Sequence, residues 1–139
     1  MTDKTDKALL ETAAEVSNRA HAPYSNFRVG AALVDESGTA HTGCNVENGA
    51  YPEGICAEAG AISAMAAAGG RRIRTIAVWG ADIEPGSVCV PCGGCRQKIS
   101  EFATDDTRIV LGGPGVEPQV FSIDELLPLR FVLGPRGRR

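Results

Sequence analysis

Leu9, Ala13, Val16 and Ala20 recur at three- and four-residue steps. That period puts side chains on one face of a helix, so it predicts an amphipathic helix from about Asp6 to Ala20. Ala22-Pro23-Tyr24-Ser25-Asn26 stops it, because proline fixes its own φ and biases the preceding residue away from helix. Phe27 to Val34 and Ala40 to Val46 read as strands, and the turn residues Asp35-Glu36-Ser37-Gly38 between them make a hairpin. Asn48 to Gly54 is irregular. A second helix is predicted from about Ile55 to Ala68, stopped by Gly69-Gly70. Ile73 to Ala81, with its bulk at Ile76, Val78 and Trp79, reads as a buried strand. Val88 and Val90 form an extended lead-in to a third helix, from Pro91 or Cys92 to about Ala103. Arg108 to Leu111 and Gln119 to Phe121 are the last strands, and Ser122-Ile123-Asp124-Glu125 is a capping box for a short helix ending at Leu127-Pro128.

This order of elements implies a mixed five-stranded sheet with helices on both faces, a three-layer α/β/α sandwich. Residues 1–133 form a single domain, and the basic, aperiodic stretch from Gly134 to Arg139 is a flexible tail.

Composition narrows the function classes. With 139 residues, 43% hydrophobic and 22% charged, the chain can bury a core without staples. Fourteen basic against seventeen acidic residues leave a formal charge of -3, which disfavours nucleic-acid binding. The polar N-terminus lacks the apolar run of a secretory signal, and no stretch is apolar enough to cross a bilayer. Five cysteines are an odd number, which fits a reduced, cytoplasmic protein better than a disulfide framework.

The chemistry sits in Cys56-Ala57-Glu58 and Pro91-Cys92-Gly93-Gly94-Cys95. Cys56 is placed at the start of one predicted helix, and Cys92 and Cys95 in the first turn of another. Free backbone N–H groups there favour thiolates. Three thiolates can hold zinc and leave a fourth position open, beside which Glu58 can move protons. The competing reading is a closed structural site with Cys89 as the fourth ligand, since Cys89-Val90-Pro91-Cys92 is itself a Cys-x-x-Cys. A closed site, however, gives Glu58 no task. If the site is open, Cys44 and Cys89 are small core residues. His21 and His41 lack ligand-like spacing and read as surface residues.

Four segments in order then resemble one family, the small homotetrameric cytidine deaminases. They are Ala22-Pro23-Tyr24-Ser25-Asn26-Phe27-Arg28-Val29-Gly30-Ala31-Ala32, Gly43-Cys44-Asn45-Val46-Glu47-Asn48-Gly49-Ala50-Tyr51-Pro52, the two cysteine segments, the second continued by Arg96-Gln97, and Leu126-Leu127-Pro128-Leu129-Arg130-Phe131. The cysteine segments also match the ligand-x-Glu and Pro-Cys-x-x-Cys signature of zinc deaminases. The resemblance implies one Zn2+ per subunit on Cys56, Cys92 and Cys95, with Glu58 as catalytic proton shuttle. It further implies substrate contacts from Phe27, Asn45, Glu47 and Ala57, with Tyr51 and Phe131 as the aromatic residues that complete a neighbouring subunit's site. The implied reaction is hydrolytic deamination of cytidine, and of deoxycytidine, to uridine or deoxyuridine and ammonia, in pyrimidine salvage. A carboxylate at Glu47 accepts hydrogen bonds from sugar hydroxyls and repels phosphate, so the partner is a free nucleoside, not nucleic acid or membrane. Rival readings are a deaminase of another aminopyrimidine such as blasticidin S, and a four-cysteine zinc interaction module. Many relatives place arginine directly after the Cys-Ala-Glu segment, where this chain has Ala59. The negative charge of three thiolates then needs another counter-charge, for which Arg96 is the sequence candidate.

Overall fold

The computed structural model describes residues 1–133, and the basic tail expected over 134–139 lies outside the described residues. Helix α1 (Lys4–Ser17) starts earlier than its apolar stripe, because Asp3 and Asp6 form a reciprocal capping box. It also ends before Ala20. The N–H groups of Asn18, Arg19 and Ala20 bond three residues back, to Glu15, Val16 and Ser17, and this tightened turn terminates the helix.

Strands β1 (Val29–Asp35) and β2 (Ala40–Cys44) make the expected hairpin, from Gly30 opposite Cys44 to Val34 opposite Ala40. A single 3-10 turn spans Tyr51–Glu53. Helix α2 (Ala57–Ala67) and strand β3 (Ile73–Gly80) follow, then α3 (Gly93–Phe102) and β4 (Ala103–Gly112). Strand β5 (Gln119–Phe121) and α4 (Ile123–Leu126) complete the domain, with Ser122 and Glu125 forming the predicted capping box. The strand order is β2-β1-β3-β4-β5, with β3 and β4 parallel and the other neighbours antiparallel.

β4 begins directly after α3, several residues before the predicted start at Arg108. Its opening is a bulge: Ala103 pairs with Ile73, and pairing then jumps to Arg108 opposite Thr75. Thr107 spans the gap by donating its hydroxyl to the Ile73 carbonyl at 2.6 Å and accepting Thr104 N–H at 2.8 Å. Polar residues in Thr104-Asp105-Asp106 hide such a start from a propensity reading.

Alternation along the strands sorts the core into two sides. Ala32, Ala77 and Val110 face α1 with Leu9, Leu10 and Ala13. Leu33, Ile76, Val78, Ile109 and Leu111 face α2, α3 and α4, with Ile62, Met65, Ile99 and Ile123. Helices therefore cover both faces of the mixed sheet, the sandwich that the order of elements implied. The second side also holds both cysteine segments.

Glycine lets α2 sit close enough to the sheet to aim its N-terminus. A Cβ on Gly43 would stand 2.4 Å from Ala61 N and 2.5 Å from Ala57 O, both backbone atoms of α2. Gly43→Ala is therefore expected to push α2 outward and cost about 1–3 kcal/mol of stability, measured by denaturant unfolding. An unchanged midpoint would show that the helix backbone can yield at that contact.

Candidate active site

Two helices point their N-termini at one spot. Cys56 is the N-cap residue of α2 and Cys92 that of α3, each with extended backbone and neither using its side chain to cap its own helix. Their carbonyls accept the first helical bonds, from Gly60 at 3.1 Å and Arg96 at 3.0 Å. The thiols are thereby left to face each other. Cys95, one turn into α3, is buried beneath them. The three sulfurs all lie within 4.8 Å of one another. A tetrahedral zinc ion with bonds of about 2.3 Å separates its sulfurs by roughly 3.8 Å, so the cluster suits one ion.

The protons of this cluster are shared. Hydrogen bonding from Cys95, then from Cys92, together with the charge of Lys98, outweighs burial and brings Cys56 down to about 6. Cys95 is pushed well above the ordinary thiol range, because it donates to Cys56 and is buried. A thiolate is thus favoured before any metal binds, as a soft-metal donor set requires.

Cys89 stands apart. It is not one of the mutually close sulfurs among the described residues, and its side chain packs over Gly80. Burial, followed by the charge of Glu58, pushes its thiol up to about 12, so it stays protonated. Three ligands without Cys89 leave an open corner, which favours the open reading over the four-cysteine one. Cys89 is a core residue as expected, whereas Cys44 at the end of β2 is only half-buried.

Glu58, in the first turn of α2, is 4% exposed. Burial lifts its carboxyl above the ordinary glutamate value, and the charge of Cys56 adds to this. A carboxyl whose pKa is raised toward the working pH is suited to accept a proton and return it.

A cavity of about 430 Å³ opens over Glu58, within the range of small-molecule sites. Phe27, Asn45, Glu47, Cys56, Ala57 and Glu58 all line it, which brings most of the expected residues together. Asn45 holds its own wall in place: its Oδ1 accepts Val29 N–H and its Nδ2 donates to the Phe27 carbonyl, both at 2.8 Å. One N–H and one lone pair of the amide remain for a ligand. Glu47 Oε1 accepts the N–H groups of Tyr24 at 3.0 Å and Ser25 at 3.1 Å, and Oε2 accepts the Ser25 hydroxyl. These bonds, the hydroxyl first, hold Glu47 below the usual carboxylate range. Asn26, at φ 57, makes the left-handed turn between Ser25 and Phe27, a conformation that asparagine tolerates.

Tyr51 and Phe131 do not reach this cavity from their own chain. Tyr51 is 76% exposed and lines an adjoining pocket with Tyr24, its ring edge-on at 5.8 Å, and that pocket shares Ser25 and Glu47 with the cavity. Phe131 is 67% exposed, and its carbonyl accepts from Gln97 of α3 at 3.4 Å.

Two sequence expectations change, and one functional residue was missed. His41 is no surface residue: its Nε2 lies 2.9 Å from Asp35 Oδ2, with both side chains nearly buried. Arg96 donates instead to the carbonyls of Pro91 at 2.9 Å and Leu126 at 2.8 Å, so it ties α3 to α4. Ser25, which buttresses Glu47, had no sequence signal beyond its place in the Tyr24-to-Phe27 segment. His21 is exposed as expected, and its backbone bonds to Asn45 and Glu47 align the wall.

The model of the cytidine and deoxycytidylate deaminase zinc-binding region matches residues 3–112. A cytidine deaminase of Mycobacterium tuberculosis is 37% identical over 141 residues, covering 100% of both chains. One from Halalkalibacterium halodurans is 37% identical over 123 residues, 88% of this chain and 91% of its own. The crystal structure of a cytidine deaminase from Burkholderia pseudomallei superposes with a TM-score of 0.82 at 41% identity, covering 94% of this chain and 100% of that one. Matched along nearly its whole length in sequence and in fold, and with three cysteines gathered for a zinc ion, this chain belongs to the cytidine and deoxycytidylate deaminase family.

Proposed function

We propose that the chain is a zinc-dependent hydrolase that converts cytidine, and deoxycytidine, to the uridine product and ammonia in pyrimidine salvage. The observation that carries this reading is the buried Glu58 beside a three-thiol cluster at the floor of a nucleoside-sized cavity. Zinc on Cys56, Cys92 and Cys95 supplies a Lewis acid that lowers the pKa of water toward ~7. Glu58 takes the proton of the attacking water and delivers it to ring N3. It carries the second proton to the C4 amine, so that ammonia leaves as the C4–N bond breaks. One carboxylate therefore serves as base and then acid.

Phe27 packs on the base and Ala57 brings the backbone of α2 to its edge. Asn45 and Glu47 take the ribose hydroxyls. Glu47 is ionised and fixed by Ser25, so it repels a phosphate and selects a free nucleoside. Glu47→Gln should lower kcat/KM for cytidine about 10–100-fold, mostly through KM. A variant with wild-type KM would remove Glu47 from the sugar site.

The assembly in this reading is a homotetramer with shared sites. Its support is the set of large apolar side chains left exposed among the described residues, which includes Val46, Tyr51, Ile55, Val90 and Phe131. Tyr51 and Phe131 then contribute to neighbouring subunits. Five free thiols suit the reducing cytoplasm, and among the described residues no helix is long and apolar enough to cross a membrane.

The test is an ultraviolet assay on cytidine with and without a zinc chelator, with blasticidin S run beside it. Chelator-sensitive turnover of cytidine is expected. Zinc-loaded protein without turnover would leave an interaction module, and preference for blasticidin S would leave a different aminopyrimidine.

A further inference from the structure

A serine hydroxyl can donate one hydrogen bond and accept others, and at Ser25 the fold uses both abilities in a fixed sense. Asn26, at φ 57, turns the chain back so that Phe27 N–H donates to Ser25 Oγ at 3.0 Å. With a backbone donor on that side, the hydroxyl hydrogen is directed to the other, where Ser25 Oγ donates to Glu47 Oε2. One side chain therefore links the backbone of Phe27, set against the base in the proposed site, to the carboxylate set against the sugar. Phe27, Ser25 and Glu47 all line the cavity over Glu58.

A carboxylate offers about four acceptor positions. Oε1 of Glu47 accepts Tyr24 N–H at 3.0 Å and Ser25 N–H at 3.1 Å, and Oε2 accepts the Ser25 hydroxyl. That leaves one position, on Oε2. The two N–H groups hold Oε1 in place but leave the plane of the carboxylate free to turn about it. The bond to Oε2 stops that turn. Any residue at positions 24 and 25, other than proline, supplies the backbone donors, whereas the bond to Oε2 needs the Ser25 side chain.

We propose that Ser25 is a positioning residue for the sugar, whose hydroxyl fixes the plane of the Glu47 carboxylate so that its last open acceptor position meets a single nucleoside hydroxyl. This rests on the reading of Glu47 as a sugar acceptor. Ser25 acts through Glu47 and moves no proton of the reaction, so its effect belongs to substrate binding rather than to turnover of bound substrate.

The test is steady-state kinetics of the full chain on cytidine at one pH, for wild type, Ser25→Ala, Ser25→Thr, Glu47→Gln and the double variant Ser25→Ala with Glu47→Gln. Ser25→Ala should raise KM about three- to tenfold with kcat within about twofold, since the lost bond is to a charged group at an exposed position. Its thermal midpoint should match wild type. Ser25→Thr keeps the hydroxyl and should restore the wild-type KM. In Glu47→Gln the backbone bonds hold the amide oxygen in place of Oε1, which sets an NH2 group beside Ser25 where no acceptor remains. Ser25→Ala should then add less than about twofold to the effect of Glu47→Gln. A wild-type KM in Ser25→Ala, an equal loss in Ser25→Thr, or the same factor with and without Glu47→Gln overturns the proposal. A wild-type KM in Glu47→Gln, or a wild type inactive on cytidine, sinks the reading of the site and this inference with it. A raised KM in Glu47→Gln beside an unchanged one in Ser25→Ala sinks Ser25 alone.

Discussion

Glu58→Ala is expected to keep its zinc and lose about four orders of magnitude in kcat. General acid–base catalysis contributes up to about 10⁴-fold, and in the proposed mechanism one carboxylate performs both proton transfers. The side chain is buried at 4% exposure, so bulk water cannot easily replace it as shuttle. It is not one of the three mutually close sulfurs, so metal content should hold. Glu58→Gln keeps the shape and hydrogen bonding but cannot take the proton, and it should be nearly as inactive. Metal analysis alongside single-turnover rates checks both variants. Substantial turnover in either would mean that another group moves the protons.

Cys95→Ser should have the second-largest effect, with loss of zinc and of all measurable turnover. Cys95 is the buried member of the cluster, so its removal takes away the donor that lies deepest in the fold. Loss of an outer-shell partner costs about 10–100-fold in metal affinity, and loss of a ligand should exceed that. Cys89→Ser is the control. It should retain one zinc per chain, though burying a hydroxyl there costs about 1–3 kcal/mol of stability. If Cys89→Ser lost zinc as Cys95→Ser does, the site would be closed by four sulfurs and the open corner would not exist.

Much of the site was legible because its parts are local. Cys92 and Cys95 come from one short segment, and Cys56 and Glu58 from another. Both segments lie where a helix starts, and the three-residue spacing put Cys92 and Cys95 on one side. The same holds for the Ser122–Glu125 capping box, whose bonds close within four residues. Boundaries set by distant partners were not legible. β4 starts at Ala103 only because Thr107 reaches the Ile73 carbonyl across the sheet. The His41 side chain is nearly buried because hairpin pairing opposite Leu33 brings its ring to Asp35, not because of its neighbours in the chain.

The linear chain by itself put forward the candidate chemistry, cysteines and a glutamate at two helix starts with Cys89 still a rival ligand, and a sheet flanked by helices. These follow from residue type and short-range periodicity, which need no knowledge of what lies opposite. Only the tertiary structure decided that Cys89 stays out of the cluster, that Arg96 binds carbonyls, and that Ser25 fixes Glu47. Each of these depends on where a side chain points once separate elements are packed together. Packing distance and direction are properties of the folded backbone, and no spacing along the sequence encodes them.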